Sequence, residues 1–316
     1  MPAERWNEER AKRVLRADVP FDDLDSNREK AERIRSGFAT LREKLAEVSP
    51  DVLIVFGNDQ RELFDFSNYP AIAVMAGERF TGSFLAGTDY NGMQRGELNG
   101  SPHFAATIVS GLMRRGFDPA FSIEMPAGGH GMPHAIMNAT RSLTDLSIPI
   151  VPILLNCYYT PQITAERSYQ LGIAIRQIIE ADTSNLRVAV IGSGGLWHTP
   201  GEEQTYIDEE FDSKLLTHMA AGNIRQMARS FDEYEPPASD GTQVVASRGA
   251  KSEAMRAAGF ESTGLPTLGG PQGGTRETCC WIAAAAVADG FEATVIDYVP
   301  INASPIGVAF AYWSLS

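Results

Sequence analysis

The stretch Val188-Ala189-Val190-Ile191-Gly192-Ser193-Gly194-Gly195-Leu196-Trp197-His198-Thr199-Pro200 decides how this chain is read. It opens on an apolar, β-branched run, the composition of a buried strand, and the run stops at glycines. Glycine lets a backbone turn sharply or lie close to another group. The turn then delivers a histidine, the side chain best suited to moving protons near neutral pH. In open α/β sheets ligands bind beyond the carboxyl ends of the strands, so His198 stands where such a fold places an active-site residue. The glycines are not a phosphate loop, because no Gly-Lys-Ser/Thr follows. They are not a dinucleotide fingerprint either, because Trp197 stands where the third glycine would be. Taken alone, the pattern also fits a histidine that is simply hydrogen-bonded at a surface turn.

Working outward, further apolar runs at 51–57, 70–75, 121–125, 149–155 and 292–299 predict strands, the last of them as the final central strand. Between them lie helical patterns at 28–48, 103–116, 164–181, 215–231 and 276–288. In the first, Ile34, Phe38, Leu41 and Leu45 fall on one face. Residues 232–241 and 265–274 read as loops, rich in Pro, Gly and acidic residues. Strands alternating with helices predict an α/β fold: a single domain over 1–316, with a central mixed or mostly parallel sheet flanked by helices. No internal repeat or low-complexity linker interrupts it.

The bulk numbers narrow the function classes. The chain has 316 residues, 43% of them hydrophobic, enough for a large core. A net charge of −13 argues against nonspecific nucleic-acid binding and against anionic membrane surfaces. Three cysteines are too few for a disulfide framework, and Cys157, Cys279 and Cys280 have no metal-binding spacing. Free thiols suit a reducing compartment. The opening Met1-Pro2-Ala3-Glu4-Arg5-Trp6 has no apolar signal core, and the apolar run 283–288 is too short to span a bilayer. The expected location is the cytoplasm.

Five histidines are available for chemistry: His103, His130, His134, His198 and His218. His218, among Leu215, Leu216 and Met219, reads as a core-edge residue, and His103 as part of a helix start. His130 and His134 share the turn Met125-Pro126-Ala127-Gly128-Gly129-His130-Gly131-Met132-Pro133-His134. Their spacing is that of a metal pair on a helix. A zincin motif, however, needs Glu where Gly131 stands, and Pro133 breaks the helix that would align the rings. Glu277, in Gly274-Thr275-Arg276-Glu277-Thr278-Cys279-Cys280-Trp281, sits at a helix start, where a carboxylate is favourable against the dipole. It is equally a sensible hard ligand for Fe(II). Asn58-Asp59-Gln60-Arg61-Glu62-Leu63-Phe64 is a polar cluster at a strand end, in which Asp59, Gln60 and Glu62 could line a cleft or form a turn and cap.

Together these segments resemble the class III extradiol ring-cleavage dioxygenases, the family of protocatechuate 4,5-dioxygenase catalytic subunits. The strand-GSGGL-x-H-x-P run through His198 resembles a histidine motif of that family. His130-Gly131, followed by Pro133, resembles another, and Glu277 with Trp281 resembles its glutamate-bearing helix start. The segment 300–313 resembles the closing segment of one subgroup. The likeness runs from about residue 50 to the end and has three departures. Gly129 stands where Asp is frequent, and Gln60 occupies the position of a metal-binding histidine. The family's N-terminal strand ending Ser-His-x-Pro is missing, and the residues from Met1 onward resemble those just after that motif.

The resemblance implies an enzyme that opens the ring of a dihydroxylated aromatic acid or phenol with O2. It implies non-haem Fe(II) on two histidines and a glutamate, which here leaves Glu277 and Gln60 as metal ligands and predicts weak iron binding. His198 and His130 would be catalytic, the first as acid–base group and the second as hydrogen-bond partner of substrate or oxygen intermediate. Asp59, His134, Asn302 and Ser304 would bind substrate. The chain would form a homo-oligomer or pair with a paralogous subunit. Two other readings stay open. One is a metal-free member using His130 and His198 for hydrolysis, isomerisation or decarboxylation of a ring-derived acid. The other is a silent structural subunit, against which the presence of His198, His130 and Glu277 together counts.

Overall fold

The computed structural model describes residues 15–84, 94–126, 130–159, 161–199, 205–235, 269–271 and 273–314. Its centre is β1 (Val52–Asn58), every residue of which is buried. β6 (Ile150–Leu155) pairs parallel on one side and β7 (Val188–Gly192) parallel on the other. Beyond β6 lie β2 (Ile72–Met75), antiparallel to it, and β5 (Ala120–Ser122), parallel to β2. The order is β5-β2-β6-β1-β7, a mixed sheet in which β6, β1 and the edge strand β7 run the same way. The carboxyl ends of β6, β1 and β7 therefore share one edge, with Asn58 opposite Leu155 and Phe56 opposite Gly192.

The period-2 geometry of β1 divides its side chains between two apolar layers. Val52, Ile54 and Phe56 join Val151 and Ile153 of β6 in one layer. That layer is closed by Ile108 of α2 (Pro102–Met113), Ile175 of α4 (Ala165–Ala181) and Ile282 of α7 (Thr278–Ala286). Leu53 and Val55 face the other way. They pack with Ile136 and Met137 of α3 (His134–Leu143), and with Phe80 and Leu98 of a hairpin formed by β3 (Arg79–Phe84) and β4 (Gln94–Asn99). Helix α1 (Leu24–Val48) starts on an Asp23 side-chain cap. Arg33 of α1 reaches Asp297 through two hydrogen bonds of 2.9 and 2.6 Å. No helix among the described residues is long and apolar enough to cross a membrane.

Three local expectations are corrected. The pattern at 215–231 is two helices, α5 (Glu209–Ala220) and α6 (Ile224–Asp232), because Gly222 takes a positive φ of 69° and turns the chain between them. The strand expected at 292–299 is not central. It is β8 (Thr294–Ile301), which pairs antiparallel with β9 (Ile306–Tyr312) in a separate two-stranded unit beside α1. The helix expected from 276 opens as a 3-10 turn, Gly273–Glu277, before α7 begins. The greater part of the two loops at 232–241 and 265–274 lies outside the described residues.

Ile54 lies fully buried at the middle of β1. Ile54→Ala is expected to cost about 2–5 kcal/mol through lost burial and the cavity left behind. Urea unfolding would show this as a lower midpoint at unchanged slope.

Candidate active site

The turn after β7 is held from every side. Ser193 N–H donates to the Phe56 carbonyl of β1 at 2.9 Å, so the turn starts in register with the sheet. Gly194 has φ +129°, and a Cβ there would come within 2.9 Å of the Glu277 Cβ, so both conformation and space demand glycine. Trp281 Nε1 of α7 donates to the Gly194 carbonyl at 3.0 Å. Trp197 is fully buried, its Nε1 donating to the Tyr206 carbonyl at 2.8 Å. The His198 N–H donates to Thr275 Oγ1 at 2.9 Å. Gly274 lies flat against the imidazole: a Cβ there would stand 2.1 Å from His198 Cδ2.

Glu277 faces this turn from the end of the 3-10 segment and is 7% exposed. Its Oε1 accepts from Asn58 Nδ2 at 3.0 Å and Gln60 Nε2 at 2.9 Å; its Oε2 accepts from the Gly195 N–H at 3.3 Å. A carboxylate only accepts, so both amides must turn their NH2 groups toward it. Arg276 anchors the same segment from behind. Fully buried, its guanidinium donates to the carbonyls of Ile163, Gly269 and Pro271 at 2.9–3.1 Å. It lies 4.0 Å from Asp232, whose oxygens accept the first N–H groups of α4.

The polar segment after β1 forms the adjoining wall. Asp59 is buried and its carboxylate accepts from the N–H groups of Glu62, Leu63 and Phe64 at 2.9–3.0 Å. That turn presents Glu62 to His134, the first residue of α3. Glu62 Oε1 meets His134 Nδ1 at 2.8 Å and accepts from its N–H at 3.1 Å. The Glu62 carbonyl accepts from the His130 N–H at 2.6 Å.

The two inner histidines have opposite electrostatics. Burial lowers the pKa of His198; the nearby Glu277 charge opposes the shift and His134 adds to it. For His134, burial also works against protonation, but the Glu62 hydrogen bond and the charges of Glu62, Glu277 and Asp59 outweigh it, and its pKa is raised. The site thus pushes one imidazole toward its neutral form and the other toward its charged form, the separation that distinguishes a base from an acid. Three of its buried polar atoms, His198 Nδ1, Asn58 Oδ1 and Glu62 Oε2, have no hydrogen-bond partner. Such orphans are rare and suit a polar ligand.

The structure therefore brings together His198, Glu277, Gln60 and His134. His130 adjoins them through its backbone while its ring is exposed. Asp59 has its carboxylate enclosed in the turn rather than facing a cleft. Asn302 is buried, with its N–H on Asp22 Oδ2 at 2.6 Å, and Ser304 lies in the β8–β9 connection. That connection touches the His198 turn where Thr199 N–H donates to the Pro305 carbonyl at 2.9 Å. His218 is elsewhere, paired with Ser230 Oγ at 3.1 Å. Sequence reasoning missed Asn58, Thr275 and Asp212 as supports of the site. Only Asn58, the last residue of a buried strand, carried a signal.

Among the described residues the donor set does not make an Fe(II) triad. A facial triad needs two imidazoles and a carboxylate with open positions. Among the described residues no group of three His, Cys, Asp or Glu is arranged to hold a metal ion. Both Glu277 oxygens already accept N–H groups, and Gln60 offers Glu277 its nitrogen.

The model of the catalytic LigB subunit of aromatic ring-opening dioxygenase matches residues 20–269. A 2,3-dihydroxyphenylpropionate/2,3-dihydroxicinnamic acid 1,2-dioxygenase of Photorhabdus laumondii subsp. laumondii is 27% identical over 290 residues, 87% of each chain. A protein of the same name from Mycobacterium sp. (strain MCS) is 29% identical over 174 residues, 55% of this chain and 52% of that one. Matched by the family model across most of its 316 residues, the chain belongs to the LigB family of aromatic ring-opening dioxygenase catalytic subunits.

Proposed function

We propose that this chain opens the ring of a dihydroxylated aromatic acid or phenol with O2, and that His198 is its proton-transfer group. The observation that carries the reading is the state of His198. It is an imidazole kept neutral by burial, with an unpartnered Nδ1, beside a carboxylate at the shared carboxyl edge of β1 and β7. A neutral imidazole there accepts the proton of a substrate hydroxyl and can return it later. His134, whose protonated form is favoured by Glu62, can offer positive charge to a substrate carboxylate or phenolate. His130 stands beside that pair as a further hydrogen-bonding group. The family resemblance brings Fe(II) as the group that activates O2. The described residues lack its imidazole ligands, so the roles assigned to them are proton transfer and substrate orientation.

A second reading is favoured by one observation, the Glu277 carboxylate held by N–H groups of Asn58, Gln60 and Gly195. Those donors position the carboxylate without a cation. The pocket would then perform metal-free proton transfer on a ring-derived acid: hydrolysis, isomerisation or decarboxylation. Both readings use His198 in the same way, and dependence on O2 separates them.

His198→Ala is expected to lower turnover by roughly a hundred- to ten-thousand-fold, the usual contribution of a general acid–base group. Oxygen uptake over a panel of catechols and catechol acids measures it, with His218→Ala as the control that changes little. Wild-type turnover in His198→Ala would remove the assignment.

Because its pKa is lowered, His198 stays in its accepting form until the pH drops under the ordinary histidine value. The limb of kcat/KM that His198 itself sets should therefore lie below about pH 6.5. A profile with no limb below that value would point to another base.

The chain of residues 1–316, purified without added iron, should carry well under one Fe per chain by metal analysis, since amide oxygens are poor substitutes for imidazole. Near-stoichiometric, tightly held iron would show that other donors complete the site.

A further inference from the structure

Asp212 lies on α5, behind the His198 turn and outside the pocket. It is fully buried, and both oxygens are engaged by neutral donors. Oδ1 accepts the Trp197 N–H at 2.8 Å, and Oδ2 accepts the Tyr298 hydroxyl of β8 at 2.8 Å. The fold leaves room for this carboxylate: a Cβ on Gly307 of β9 would stand 2.1 Å from Oδ2. The same Gly307 donates its N–H to the Trp197 carbonyl at 2.7 Å. The residue before His198 is thus gripped at its N–H by α5 and at its carbonyl by β9, and His198 itself at its N–H by Thr275.

We infer that Asp212 is the positioning residue of His198: its buried carboxylate, through the Trp197 N–H, fixes the backbone that aims the imidazole into the pocket. The role rests on His198 being the proton-transfer group. An acceptor for one amide does not require a charge, and burying one among neutral donors is unfavourable. What a carboxyl adds is a second state. Ionised, it accepts two charge-assisted hydrogen bonds; protonated, one oxygen becomes a donor and the grip on the turn weakens. Burial pushes the Asp212 carboxyl up to about 7; the Tyr298 hydroxyl and the Trp197 amide oppose the shift, and Asp208 and Glu209 add to it. Among the described residues these groups face it: Tyr298 from β8, the Trp197 amide from the turn, and Asp208 and Glu209 from the start of its own helix. The grip therefore tightens as the pH rises through neutrality.

The test needs no substrate. In the full-length, 15N-labelled chain, the Trp197 backbone amide and the His198 ring nitrogens are followed from about pH 5.5 to 8.5. The Trp197 amide is expected to shift with a midpoint near 7, and the His198 ring signals to show an inflection at the same pH. Asp212→Asn should abolish both transitions in a folded protein. Tyr298→Phe keeps the carboxyl but removes one donor to its charged form, so it should move the midpoint upward; it carries the test if Asp212→Asn does not fold. Three outcomes overturn the inference: no transition at Trp197, a transition surviving in Asp212→Asn, or His198 signals indifferent to the substitution. In turnover, Asp212→Asn should lower kcat roughly ten- to a hundredfold, the scale of a small misplacement, with KM nearly unchanged and the pH profile flattened. A merely structural role would lower Tm and leave the profile in place. If His198→Ala turns over like wild type, the proton-transfer reading fails, while the amide and ring titrations still decide whether Asp212 grips the turn.

Discussion

One carboxylate joins the parts of this molecule that the sequence keeps far apart. Glu277 accepts hydrogen bonds from Asn58 at the end of β1, from Gln60 just beyond it, and from the Gly195 N–H after β7. It does so from the residue that leads into α7, which packs over the same strands. Charge-assisted bonds of this kind are stronger than neutral ones and fix direction as well as distance. The edge where β1 and β7 end, the start of α7 and the glycine turn are therefore locked in mutual register. Arg276, directly before Glu277, secures the segment to the carbonyls on its far side. Without that anchor, a carboxylate reached only by amides and one backbone N–H would be free to swing out to water.

Within the frame so fixed, two histidines acquire opposite characters by purely local means. Glu62 touches both the ring and the backbone nitrogen of His134, so charge on that ring is compensated in place. His198 has no such partner; its hydrogen bond runs from the backbone to Thr275, and its ring lies against Gly274. Burial then governs His198 and pairing governs His134. The arrangement suits a hydroxylated aromatic acid, which brings both a proton to be removed and an anion to be held.

Much of this was legible in the chain. β1 and β7 could be read because strands packed in a sheet become apolar, β-branched runs, and the stop on GSGG marked the turn that carries His198. Gln60 could be placed beside Glu277 through the family pattern. Other parts could not be read, for physical reasons. β8 looks like any apolar strand, and only tertiary packing decides that it pairs with β9 beside α1 instead of entering the sheet. In the β3–β4 hairpin β4 is almost wholly exposed and polar, and the short strands include glycine at 82 and 96, which hides it. Gly222 breaks a helical pattern that otherwise runs unbroken. Glu62 and His134 are 72 positions apart, and nothing in either segment names the other. Asp212 reads as an ordinary helix-start acid until the fold buries it.

The turn that carries His198 is also flanked by indoles. Of four tryptophans in the chain, Trp197 lies within the turn, fully buried, and Trp281 is hydrogen-bonded to its Gly194 carbonyl. Indole emission responds to local polarity and to nearby quenchers such as an imidazolium or a bound aromatic ring. The protein's own fluorescence is thus an optical gauge of this corner of the molecule, one that registers a ring entering the cleft before any bond is broken.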